Sequence, residues 1–243
     1  MPKNDLTGRV TLVTGASRGI GYAAALALAE AGSHVIAIAR TQGGLEDLDD
    51  AIKATGGECT LVPMDLKNYD GIDQLGSIIH DRWGRLDGLF ANAGLLGEIT
   101  LAAHTTPKSW DNVIDTNLTA NVRLIRSLDT LLRSSESGRA LFQTSGVANS
   151  RRAYWSAYAA SKAGLEAFVQ CYAKEVESSS LRVNLLNPGA ARTAMRAKAM
   201  PGEDPATLPT PADIAPLIVD MLSPAYLDND KIISFRDSAY YKT

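Results

Sequence analysis

Residues 10–21 read VTLVTGASRGIG, from Val10 to Gly21. The apolar run Val10–Val13 closes on Thr14-Gly15, as a buried strand does on entering a tight turn. The residues beyond, Tyr22–Ala31 (YAAALALAEA), are rich in strong helix formers, and Gly32 stands where a C-cap belongs. Between a strand and a helix the three glycines have separate duties. Gly15 permits the turn, Gly19 lets backbone approach a pyrophosphate, and Gly21 lets the helix lie close against the sheet. The helix N-terminus then offers free N–H groups and partial positive charge to phosphate. The spacing is Gly-x-x-x-Gly-x-Gly. A plain glycine-rich turn is the reading that competes with a dinucleotide cradle, and the residues further along decide between them.

The same strand–helix alternation continues outward. Strands are predicted at Val35–Ala39, Thr60–Pro63, Leu86–Ala91, Ala140–Thr144 and Leu181–Leu186. Helices are predicted at Leu45–Ala54, Ile72–Trp83, Ser109–Leu132 and Ala153–Glu177. Short loops between alternating elements imply parallel pairing, right-handed crossovers and helices on both sheet faces. No linker interrupts the pattern, so residues 1–243 are read as one domain. After Pro188-Gly189 the pattern breaks. Pro201, Pro205, Pro209 and Pro211 crowd the next stretch, and residues 190–210 are read as a partly helical lid. A last helix is expected at Ile214–Leu222 and a short strand at Lys231–Phe235; the tail Arg236–Thr243 receives no assignment.

Composition is that of an ordinary globular chain: 243 residues, 45% hydrophobic and 21% charged. A net charge of -3 gives no support for nucleic-acid binding. The two cysteines, Cys59 and Cys171, form no metal-ligand spacing, and His34, His80 and His104 are scattered, so no metal is expected. The polar start MPKNDLTGR carries no leader pattern, and no apolar run approaches the ~18 residues of a membrane span. A cytoplasmic protein is expected.

The second strand ends in Ala39-Arg40-Thr41, with no acidic residue before Glu46. A carboxylate there would select NAD through the ribose hydroxyl; a guanidinium pairs with a 2′-phosphate instead. Arg18, inside the turn, can reach the same group. NADP(H) is therefore expected over NAD(H). Downstream, Ser145 stands thirteen residues before Tyr158, and Lys162 four residues after it. Positions i and i+4 share a helix face, so Tyr158 and Lys162 project into one cleft. A free tyrosine titrates near 10, and a neighbouring ammonium is expected to lower that. Tyr158 would then exchange a proton with a carbonyl or alcohol oxygen that Ser145 holds, while hydride moves at carbon.

These motifs together resemble the short-chain dehydrogenase/reductase family over nearly the whole chain. TGASRGIG is similar to its cofactor turn, with Gly15, Ser17, Arg18, Gly19, Ile20 and Gly21 at the cofactor; Arg40 and Thr41 follow from strand two. Asp65-Leu66 resembles the adenine contact, and Asn92-Ala93-Gly94 the NAG motif after strand four. Asn117 resembles the helix asparagine that holds a water linking to the lysine, completing a catalytic set with Ser145, Tyr158 and Lys162. Pro188, Gly189 and Thr193 resemble the segment at the nicotinamide carboxamide. The resemblance implies a three-layer Rossmann fold with a doubly wound, mostly parallel seven-stranded sheet. It also implies a homodimer or homotetramer built on the helices near 109–132 and 153–177; the sequence offers Phe168, Val169 and Tyr172 as apolar candidates either for the outer face or for inward packing. The chain departs from the family at its C-terminus, where IISFRDSAYYKT replaces the usual apolar strand and Gly-Gly pair.

Arg151-Arg152 is read either as a greeting for an anionic substrate or as a solvated loop pair. Tyr154 and Trp155 either line the substrate mouth or pack. Leu95, Leu96, Val147 and Met195 fit a pocket wall or the core. Two other functions fit the same fold: a non-catalytic nicotinamide-nucleotide-binding protein, and a lyase of the halohydrin dehalogenase kind. The intact Asn117, Ser145, Tyr158 and Lys162 set opposes the first. The glycine turn and the lysine together oppose the second.

Overall fold

The computed structural model describes residues 5–241. The ends of the start and tail discussed above, 1–4 and 242–243, lie outside the described residues. Seven strands run in the order β1 (Val10–Thr14), β2 (His34–Ala39), β3 (Cys59–Pro63), β4 (Gly88–Ala91), β5 (Arg139–Gln143), β6 (Arg182–Asn187) and β7 (Ile232–Ser234). The main helices between them are α1 (Gly19–Glu30), α2 (Gln42–Ala54), α3 (Tyr69–Trp83), α4 (Pro107–Ile114), α5 (Ala120–Arg133), α6 (Val147–Ser150), α7 (Ser156–Glu175), α8 (Ala194–Ala199) and α9 (Pro211–Met221). The strands form one sheet, β3-β2-β1-β4-β5-β6-β7. The sheet expected to be mostly parallel is parallel at every pairing.

Period-two alternation sends neighbouring strand residues to opposite faces, and both faces are covered. On one, Leu12, Ile36 and Leu89 pack with Ile72, Leu75 and Ile79 of α3, Leu124 and Leu128 of α5, and Leu165 and Val169 of α7. On the other, Val13, Val35 and Phe90 pack with Leu28 of α1, Leu45 and Leu48 of α2, and Ile214, Leu217 and Ile218 of α9. Burying each such side chain contributes about 1.5–3 kcal/mol. This double burial explains why the strands show no polar alternation in sequence.

Strand order reverses between β1 and β4, and a crevice at the carboxyl ends opens there. The two strands are clasped at that point. The Asn92 and Ala93 N–H groups both donate to Thr14 Oγ1 at 3.0 Å, and Asn92 Nδ2 donates to the Thr14 carbonyl at 2.8 Å. The amino ends of the central strands are closed by charge. Arg9 and Arg139 are buried, donating to the carbonyls of Asp87 at 2.8 Å and Pro224 at 2.7 Å. The Asp87 carboxylate accepts from Val10 N–H and the Ser135 hydroxyl. Burial, with Arg9 and Arg182 nearby, brings Arg139 down to about 10.

Several boundaries differ from the sequence reading. The single helix expected over 109–132 is two helices joined by a π-helical turn, Asp115–Thr119, which contains Asn117. The helix expected from Ala153 begins at Ser156, because Arg151 and Tyr154 adopt φ of 47° and 71° and break it. β7 gives way after Ser234 to a 3-10 turn, Phe235–Asp237. That turn buries Phe235 against the edge of Tyr241, 5.5 Å between ring centres. Val169 and Tyr172 point inward and are buried, and Phe168 packs against the core. The outer face of α7 is instead Ala160, Ala163, Ala167 and Cys171. No helix among the described residues is long and apolar enough to cross a membrane.

Candidate active site

The glycine turn is shaped by what it cannot hold. A Cβ at Gly21 would land on the Gly15 carbonyl and 2.5 Å from Asn92 Nδ2, so helix and turn meet at a distance only glycine allows. Gly15 takes φ of 69°. The first turn of α1 has no side-chain cap and no acidic residue, which leaves its N–H groups and positive end for an anion. Ser17 stands against Gly44 at the start of α2, and Ile20 is buried beneath the turn. Thr193 Cγ2 lies 3.6 Å from the Cβ position of Gly19, bringing the segment after β6 to the same place.

Arg18, the α1 N-cap, and Arg40, after β2, are both exposed. Thr41 is the N-cap of α2 without a side-chain bond, another open helix start. Arg40 lies 3.9 Å from Asp65, the residue predicted at the adenine. Leu66 beside it is buried. An uncapped helix, a turn emptied of side chains and exposed guanidinium groups fit a phosphorylated dinucleotide.

Across the crevice, three consecutive residues at the end of β5 meet α7. Lys162 Nζ donates to the Gln143 carbonyl at 2.6 Å. The Thr144 hydroxyl donates to Glu166 Oε1 at 2.6 Å. Ser145 lies beside Tyr158, close enough to lower its phenol. Tyr158, Lys162 and Glu166 lie at i, i+4 and i+8 along one buried stripe of the helix. Lys162 Nζ is 5.9 Å from the Tyr158 ring centre.

Burial raises the Tyr158 phenol, and Ser145 only partly offsets this. The expected lowering by Lys162 is thus not the resting arrangement, since that ammonium is turned to Gln143. Burial brings Lys162 down to about 8, with the Glu166 charge opposing.

Asn117 is fully buried in the π-helical turn. Its amide donates to the Leu95 carbonyl at 2.9 Å and Ser161 Oγ at 3.0 Å, and its oxygen accepts from Leu95 N–H at 2.7 Å. Its own carbonyl accepts from Asn121 Nδ2 at 2.8 Å. The π-turn therefore anchors the loop after β4. A Cβ at Gly94 would sit 3.3 Å from Asn117 Oδ1 and 3.7 Å from Lys162 Nζ, so Gly94 keeps that corner open. Asn187 at the end of β6 accepts from the N–H groups of Gly146 and Gly189, at 3.2 and 3.0 Å. That places Pro188-Gly189 beside Ser145.

The mouth is partly apolar. Leu96 and Trp155 are buried with Tyr158, and Val147 and Ala199 pack against them. Trp155 meets the Tyr158 ring edge-on at 6.0 Å. Tyr154 and Met195 are exposed. Arg152 lies over the Trp155 ring at 5.7 Å, and Arg151 is exposed. The segment 190–210 is tied to itself. Arg192 donates to the Pro205 carbonyl at 2.7 Å, and Arg196 grips Glu203 through two bonds of 2.5 and 2.7 Å. These residues line an open pocket of about 300 Å³. Thr193 caps α8 by accepting from Arg196 N–H. Sequence reasoning did not single out Thr144, Asn149 or Glu166. The repeated four-residue spacing Tyr158–Lys162–Glu166 was the signal for the last.

Residues 9–204 match the family model for short chain dehydrogenase. The chain is 42% identical to an uncharacterized oxidoreductase, YciK of Escherichia coli K12, covering 89% of this chain and 87% of that one. A short chain dehydrogenase of Shigella flexneri 2a, crystallised with NADP, superposes with TM-score 0.91 at 38% identity, covering 96% and 98% of the two chains. Another from Escherichia coli CFT073, crystallised with NADPH, gives TM-score 0.90 at 38% identity over 96% and 99%. With that sheet order, glycine turn and Tyr158–Lys162 stripe, the chain belongs to the short-chain dehydrogenase/reductase family of NAD(P)-dependent oxidoreductases.

Proposed function

We propose that the protein reduces a ketone, or oxidises a secondary alcohol in reverse, with NADP(H) preferred over NAD(H). The observation that carries this reading is the stitched end of β5, where Ser145, Tyr158 and Lys162 converge beside an uncapped glycine turn. NADP(H), when bound, supplies or accepts the hydride. Gly15 to Gly21 and the α1 N-terminus hold its pyrophosphate, Arg40 and Arg18 its 2′-phosphate, and Asp65 and Leu66 border the adenine. Ser145 holds the substrate oxygen by hydrogen bond. Tyr158 gives that oxygen its proton, or takes it in reverse. Lys162 binds the nicotinamide ribose and stabilises phenolate as Tyr158 loses its proton. Asn117 fixes the loop that carries Asn92, Ala93 and Gly94. Pro188, Gly189 and Thr193 border the carboxamide.

Residues 190–210 act as the lid, its Ala199 resting on the Tyr158 cluster. The protein self-associates as a homodimer or homotetramer through α5 and the small-residue face of α7; light scattering at micromolar concentration that finds a monomer contradicts this. A cytoplasmic, single-domain enzyme completes the reading. Thermal shift with NADPH and NADH, followed by NADPH consumption across a carbonyl library, tests the function. Larger stabilisation by NADPH and turnover of at least one ketone are expected. Tight binding with no turnover across the library favours a non-catalytic nucleotide-binding protein.

A further inference from the structure

Glu166 is a buried carboxylate that the reaction, as read above, does not use. It is 7% exposed, on the sheet-facing stripe of α7 one turn beyond Lys162. Both of its oxygens accept: Oε1 from Thr144 at 2.6 Å and Oε2 from Asn149 Nδ2 at 3.3 Å. Neither donor is charged. A carboxylate taken out of water needs a compensating cation. One helical turn back on the same stripe lies the cation Lys162, whose charged form the Glu166 carboxylate favours; it is 2% exposed and hydrogen-bonded to the Gln143 carbonyl. Around Lys162 stand Tyr158 and Glu166 from its own helix, Gln143 from β5, and Gly94 from the loop after β4, with Asn117 of the π-helical turn beside Gly94. Of these, only Tyr158 and Glu166 titrate.

We infer that Glu166 is a positioning residue that keeps Lys162 protonated and locks α7 in register with the end of β5. Thr144 and Glu166 form the middle rung of a three-rung ladder, with Gln143–Lys162 and Ser145–Tyr158 on either side. Removing the charge of Glu166 while keeping its bond to Thr144 leaves Ser145 and Tyr158 in place and takes away the charge that favours protonated Lys162. The inference rests on the proposed role of Lys162 for its effect on turnover. It does not rest on that role for its effect on the lysine itself.

The test is the titration of Lys162 followed by NMR of lysine-labelled protein, in wild type and in Glu166→Gln, with Lys162→Met assigning the resonance. Glutamine keeps the shape and an oxygen for Thr144 but loses the charge. The Lys162 midpoint is expected to fall by about one pH unit. The alkaline limb of kcat should move to lower pH by the same amount, while Glu166→Asp stays near wild type. An unmoved midpoint overturns the inference, whatever turnover does. A moved midpoint in a protein that turns over no carbonyl leaves the inference standing and sinks the reductase reading. Should Glu166→Gln fail to fold, wild type decides: the Lys162 resonance must move as Glu166 is protonated on acidification. A resonance flat through that step overturns the coupling.

Discussion

The turn after β1 and the end of β5 face each other across one crevice and are made by opposite means. The first is built by subtraction: Gly15, Gly19 and Gly21 remove side chains, and α1 goes uncapped, so that backbone N–H groups do the binding. The second is built by addition: Gln143, Thr144 and Ser145 each engage α7, and three ionisable groups, Lys162, Glu166 and Tyr158, are buried to do so. A backbone site tolerates change in its surroundings as long as nothing fills it. A side-chain site depends on each desolvated partner, and loses chemistry when one is removed.

The largest expected effect is on the side-chain site. Tyr158→Phe keeps the ring and its contact with Trp155 but removes the proton. General acid–base catalysis is worth about 10²–10⁴-fold, and steady-state kcat should fall by that much with NADPH affinity intact. Near-normal turnover would free Tyr158 from the role. Next comes the cofactor side. Arg40→Ala removes a charge-assisted contact worth roughly 1.5–3 kcal/mol, so NADPH binding should weaken by about 10- to 150-fold while NADH barely changes. Fluorescence titration reads both; equal weakening of the two would move the 2′-phosphate elsewhere.

The pH dependence separates activity from stability. Lys162 titrates at about 8 in the fold against an ordinary 10.5. Turnover should decline as pH rises through about 8, where the lysine loses its charge. Stability goes the other way. Between about 8 and 10.5 the unfolded chain holds the proton and the folded chain does not, so this group makes the protein more stable as pH rises. Below 8 both states carry the proton and the cost of burying it is complete. Denaturant unfolding of the cofactor-free protein in that window, compared with Lys162→Met, isolates the contribution.

The smallest effect concerns the lid. The Arg196–Glu203 pair is near the surface, where ion pairs contribute little to stability. Arg196→Ala should therefore speed hydrogen exchange over residues 194–203 by about five-fold at most. Exchange there should slow with NADPH, most at Thr193 and Met195. Strong protection unaffected by cofactor would make the segment fixed structure.

The difference between the two regions also explains what the sequence disclosed. A site made by missing side chains is local: strand, turn and helix are consecutive, so TGASRGIG announces itself. Tyr158 and Lys162 were legible for the same reason, being one helical turn apart. Their partners were not, because Thr144 and Glu166 are joined across 22 residues and a threonine carries no signature. Helix periodicity ran straight through Asp115–Thr119, since a π-helical turn inserts a residue without altering composition. For Val169 and Tyr172 the sequence leaves an outer and an inward face open, and the structure takes the inward one. It is the alanines that face out, on a helix buried against the sheet by its larger side chains.

The most direct measurement follows the hydride itself. The protein would be incubated with NADPH deuterated at the transferring position and a ketone that it turns over or, failing one, the carbonyl library, and the products examined by mass spectrometry and NMR. The account predicts an alcohol carrying one deuterium on the carbinol carbon, formed mole for mole with NADP and lost in Tyr158→Phe. NADPH that binds and is recovered intact, with no labelled alcohol from any carbonyl, would contradict it.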